Sequence, residues 1–101
     1  YMLHGVRYTV NTWKEMLIQV CGHILIEKRS TIEWLCANEK CSFSATPEEW
    51  RRELAPGMYV WTDNSTATKI NILHGMFEEC NIPASELVFE FRSDQEGEDE
   101  K

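Results

Sequence analysis

Residues 56–70 read PGMYVWTDNSTATKI, and this stretch decides the fold class. Pro56 and Gly57 punctuate the chain. Met58 to Thr62 is short and rich in aromatic and β-branched residues, the composition of a strand. Asp63, Asn64 and Ser65 form turns and helix caps. Beyond them Ala67, Ile70, Leu73, Phe77 and Cys80 recur at helical spacing, with Met76 beside them, which predicts a long helix. A strand that passes through a polar turn straight into a helix belongs to a mixed domain.

Working outward, Val6, Tyr8 and Val10 alternate with Arg7 and Thr9, as in a half-buried strand. Thr12 with Glu15 has the spacing of a capping box. Trp13, Met16, Leu17, Val20, Cys21 and Ile24 then mark a helix reaching Lys28 or Arg29. Ser30 and Glu33 repeat the box and predict a short second helix through Trp34, Leu35 and Cys36. Phe43 is the single apolar anchor expected in the polar run 38–44. Thr46, Pro47 and Glu49 predict a brief third helix, with proline at its first position. Trp13, Trp34 and Trp50 are expected in the core. Leu87, Phe89 and Phe91 alternate as a closing strand. The expected architecture is α+β, a small sheet of about three strands against two longer helices, in the order β-α-α-α-β-α-β.

The chain has 101 residues, 43% of them apolar, which fits one domain with one core. No apolar run approaches the roughly 20 residues of a membrane-spanning helix. Seventeen acids against ten bases give a net charge of −7, which disfavours function through bulk attraction to nucleic acid or anionic lipid. The last nine residues, SDQEGEDEK, hold five of the acids and one base, so they carry −4 and residues 1–92 carry −3. Without apolar residues, 93–101 is expected to be a disordered acidic tail behind a folded unit at 1–92. Its plainest role is solubility; an alternative is a decoy that competes with phosphate for a basic surface. The chain begins at Tyr1 and carries no signal-peptide pattern. We read it as a domain excised from a larger cytoplasmic protein.

Cys36 and Cys41 form one loose pair, while Cys21 and Cys80 fall on apolar helix faces. Structural zinc prefers two close pairs, and Cys21 and His23 point about 200° apart on a helix. Reduced thiols without metal are therefore expected. No nucleophile elbow or glycine-rich phosphate loop is present. The acid pairs Glu48–Glu49 and Glu78–Glu79 diverge on their predicted helices. Catalysis and a cofactor are not expected.

Two regions carry candidate binding residues. Thr62, Asn64, Ser65, Thr66 and Lys69 surround a helix start, where unpaired N–H groups and hydroxyls can hold an anion or small ligand. Ordinary capping is the competing reading, and Asp63 opposes an anion. Lys28, Arg29, Arg51 and Arg52, with Trp50, are candidates for nucleic-acid contact, because arginine beside an aromatic pairs with phosphate and stacks on bases. Glu48, Glu49 and Glu53 offset that field.

The pattern of Thr12 and Trp13, then Gly57, Tyr59, Val60, Thr62 and Ser65, then Leu87 and Phe89 resembles a small domain of unknown function. That domain sits at the carboxyl end of bacterial proteins tied to restriction and DNA processing. The resemblance covers most of residues 6–91 and implies a non-catalytic accessory module. Its expected partners are other domains of the parent protein or other proteins, with nucleic acid as a weaker candidate and no membrane. A self-associating structural module is the third reading.

Overall fold

The computed structural model describes residues 1–89. Phe91 and the acidic segment 93–101 lie outside the described residues. The elements are β1 (Met2–Leu3), β2 (Val6–Arg7), α1 (Trp13–Glu27), α2 (Arg29–Ala37), β3 (Phe43–Ser44), β4 (Arg51–Ala55), β5 (Met58–Trp61), α3 (Thr66–Glu79), a 3-10 turn at Ala84–Glu86 and β6 (Leu87–Val88). The class is α+β as expected, but the described strands form two three-stranded antiparallel sheets rather than one. The first has the order β2-β1-β6 and the second β3-β5-β4.

The long helices start where the caps predict. The Thr12 hydroxyl accepts the Glu15 N–H at 3.0 Å, and Glu15 Oε1 returns a bond to the Asn11 N–H at 3.1 Å. Ser65 plays the same part for α3, accepting from the Thr68 N–H at 3.1 Å. From α1 the residues Met16, Leu17, Val20, Cys21, Ile24 and Leu25 enter the core; from α3 come Ile72, Leu73, Met76 and Phe77. These stripes meet Ile32 and Leu35 of α2 and Phe43, Met58 and Val60 of the second sheet in one cluster. Such repeats at i, i+3 and i+4 place an apolar face against each neighbour, and their burial supplies the main stabilising term.

Four expectations need correction. The stretch 46–50 is not a helix. The Thr46 N–H binds Ser44 Oγ, the Arg51 N–H binds the Glu48 carbonyl, and the chain opens into β4. Pairing with β5 across the Pro56–Gly57 turn satisfies this backbone, and Gly57 supplies the φ of +79° that the turn requires. The local helix start signal loses to strand pairing. Second, α2 does form, but without the Ser30–Glu33 box: Lys28 occupies the cap position without a side-chain bond, and Glu33 instead accepts from Arg29 Nε at 3.1 Å.

Third, the amino-terminal strand is shorter than its alternation implies. The chain reverses at His4 and Gly5, so that Leu3 pairs with Val6 and Met2 with Arg7. Val6 is exposed, whereas Tyr8 stacks between Tyr1 and His23 with ring centroids at 5.1 and 4.6 Å. Fourth, Trp34 and Trp50 are exposed, not core. Trp34 lies two residues from Ile32, on the opposite side of α2, and Trp50 stands in the turn before β4. Trp13 is half-buried as an edge-on partner of Phe89, at 5.3 Å between centroids.

Candidate functional site

The β4–β5 hairpin builds the best-defined surface. Side chains alternate across a strand, so Met58 and Val60 enter the core while Tyr59 is half-buried and Trp61 exposed. Arg51 stands directly opposite Trp61, and Glu53 opposite Tyr59. The Arg51 guanidinium donates through one terminal nitrogen to both the carbonyl and the hydroxyl of Thr46, each at 3.0 Å. Ser44 Oγ in turn holds Thr46, at 3.1 Å from its hydroxyl and from its N–H. Arg51 is thus anchored by the chain linking β3 to β4, beside an indole with open surface. Arg52 is exposed on the same strand.

The two candidate regions meet here. Thr62 is buried and donates to the Trp50 carbonyl through its N–H at 3.1 Å and its hydroxyl at 3.4 Å. Asn64 Nδ2 donates to the Trp61 carbonyl at 3.0 Å. The turn after β5 therefore fixes the main chain on both sides of the Trp61–Arg51 pair. Trp50 and Trp61 are 45% and 36% exposed; by the alternation of β4, Arg51 shares the face of Trp61 while Arg52, opposite Val60, lies on the other face.

The helix start itself is largely closed by its own residues. Ser65 takes the Thr68 N–H, and its hydroxyl contacts that of Thr68 at 3.0 Å. Lys69 is buried, and its Nζ donates to the Asn64 carbonyl at 2.6 Å. Burial, with Lys14 nearby, lowers the Lys69 pKa, and Asp63 opposes that shift. Asn64 Oδ1 is a buried acceptor without a protein hydrogen bond. Thr66 is exposed. The amine and one of the N–H groups that an anion would use are already engaged.

Lys28 and Arg29 do not join Arg51 and Arg52. They sit at the α1–α2 corner, where the Lys28 charge acts on the Cys80 thiol just past the end of α3. Arg51 pairs with Trp61, whose carbonyl is bonded by Asn64 just before α3 begins. Fourteen helical residues, on the order of 20 Å at about 1.5 Å per residue, separate those two ends of α3.

Cys36 is buried, with its sulfur against the N–H groups of Tyr59 and Ser44, and burial raises its pKa. Cys41 is half-buried above Gly75. Among the described residues, no three His, Cys, Asp or Glu side chains are arranged to hold a metal ion. The reading from sequence missed Trp34 as a surface feature, where the Lys40 ammonium lies 5.3 Å from the indole centroid.

Taken with the folding pattern, this is a small α+β domain whose most distinctive surface is an aromatic–arginine hairpin face. No family model matches the chain, and no curated protein or solved structure matches it. No helix among the described residues is long and apolar enough to cross a membrane.

Proposed function

We propose that this chain is a non-catalytic interaction module, an accessory domain of a larger bacterial protein of the DNA-processing or defence kind. It docks a protein partner, or a neighbouring domain of its parent, through the face that carries Arg51 and Trp61. The observation that carries this reading is the exposed Trp61 held opposite an anchored Arg51. Tryptophan and arginine are the residues most enriched at interface hot spots, and a pre-positioned guanidinium loses less freedom on binding. Glu48, Glu49 and Glu53 flank the two arginines along the chain. That mixed field suits a protein surface of mixed charge better than a polyphosphate. The bacterial parent rests on the sequence resemblance.

The test pairs the chain with the domains adjoining it in its parent protein. Binding is measured by calorimetry for the natural sequence and for Trp61→Ala and Arg51→Ala, with single- and double-stranded DNA as parallel probes at low salt. The expected result is binding to a neighbouring domain that weakens at least 10-fold in both variants while their circular dichroism is unchanged. Equal binding by all three proteins would remove this surface from the interaction. DNA binding with a steep salt dependence, lost in Arg51→Ala and Arg52→Ala, would replace the protein partner with nucleic acid.

A further inference from the structure

His4 occupies the tip of the first hairpin, in the left-handed region at φ +53°, and is followed by Gly5 at φ +81°. Both residues of this two-residue loop have positive φ, as tight hairpins of the primed type require. Each nitrogen of the imidazole faces a carboxylate. Nε2 lies 2.9 Å from Glu27 Oε1, on the last residue of α1. Nδ1 lies 2.9 Å from Glu86 Oε1, on the 3-10 turn that leads into β6. The His4 N–H also donates to the Glu86 carbonyl at 2.9 Å.

Ionised carboxylates only accept hydrogen bonds, and a neutral imidazole has one N–H to donate. Two ring nitrogens facing two carboxylates are satisfied together only in the imidazolium form. We propose that His4 is a proton-operated latch: protonated, it ties the β1–β2 hairpin both to the end of α1 and to the segment entering β6, and on losing its proton it releases one of the two carboxylates.

The groups that face the imidazole are Glu27 from α1 and Glu86 from the 3-10 turn. The strands add no acid; Arg7 is the single charged side chain on β1, β2 and β6, opposite Met2 and one pair back from the turn. Both glutamates raise the His4 pKa above 6.5, Glu86 first, and the small desolvation does not reverse the shift. The sign follows from linkage. A group whose pKa is raised by folding contributes its full stabilisation below the unfolded value, near 6.5, and loses it as pH rises through the folded value. The latch is closed on the acid side and opens towards the alkaline side. Because β1, β2 and β6 are two residues each, the ladder they share is short, and a side-chain clamp across it has weight.

The experiment is an NMR titration of the whole chain, following the His4 ring protons and the amide exchange of Leu3 and Val88. His4 is expected to titrate above free histidine, and Glu27→Gln and Glu86→Gln are each expected to bring it back towards the free value. Exchange at Leu3 and Val88 is expected to rise above its intrinsic pH dependence as His4 deprotonates. His4→Asn keeps a residue that tolerates positive φ, so the hairpin persists while the extra pH dependence disappears. A His4 that titrates at or below the free value would overturn the latch. So would identical exchange profiles for the natural sequence and His4→Asn.

Discussion

Gly75 and Cys41 meet with no room between them: a β-carbon at Gly75 would lie 2.9 Å from Cys41 Sγ. Gly75 stands in the middle of α3, where glycine is a poor helix former, so the contact accounts for its presence. Cys41 is held there by a connector in which Glu39, Cys41 and Ser42 all have positive φ. The backbone cannot easily yield, and the sulfur must rotate instead. Gly75→Ala is expected to destabilise the protein by about 1 kcal/mol, because overpacking exceeds the helix-propensity gain. In a Cys41→Ala background the same change is expected to stabilise by roughly 0.5–1 kcal/mol. Urea denaturation of the four proteins in the cycle measures the coupling, and additive effects would contradict the contact.

Ser65→Ala removes the side-chain acceptor for the Thr68 N–H and is expected to cost about 1 kcal/mol. Ser65→Asp keeps an acceptor and adds favourable charge at the helix start, so stability is expected to return to the natural level or above. Thermal denaturation reads both, and an unchanged midpoint for Ser65→Ala would show that the cap contributes little.

The four thiols are expected to differ sharply in reactivity. Cys21, Cys36 and Cys80 are buried, and Cys41 alone is half-exposed. Burial and the nearby Glu79 raise the Cys41 pKa above 9.0, so less thiolate is present at a given pH than in a free cysteine. Mass spectrometry after brief alkylation at pH 8 should find one label, at Cys41, added more slowly than to a small thiol. Denaturant should release all four. Prompt labelling of Cys21 in the native state would contradict the packing around it.

Phe43 and Trp34 make a second contrast. Phe43 is 1% exposed and pairs with Val60, so Phe43→Ala is expected to cost roughly 3–5 kcal/mol. Trp34 is 46% exposed, and its replacement by alanine should cost about 1 kcal/mol or less, mostly the lost contact with Lys40. Chemical denaturation of the two variants separates them; similar losses would mean that Trp34 is packed after all.

The helices were legible because their signals are local. Thr12 and Ser65 cap as their spacing implies, and the stripes from Met16 to Ile24 and from Leu73 to Phe77 face the core. The strands were less so, because pairing depends on residues far apart. β4 carries Pro47 and Glu49 just before it, a helix start by local rules, yet its partner β5 fixes it as a strand. The same pairing explains the site. Arg51 and Arg52 were visible as basic residues beside Trp50, but nothing short of the register brings Trp61 opposite Arg51. Lys28 and Arg29 looked equivalent by composition and fall near the other end of α3.

The first sheet has one more consequence. β1 and β6 are antiparallel neighbours, with Met2 opposite Val88, so Tyr1 and Phe89 emerge at the same edge. Residues 1 and 89 therefore lie side by side. A chain cut after Phe89, with Phe89 joined to Tyr1 and the Pro56–Gly57 tip opened instead, would give a circular permutant that keeps every strand pair except the continuity of one hairpin. The same adjacency of Tyr1 and Phe89 would let the segment 1–89 be spliced into a loop of another protein without stretching either junction.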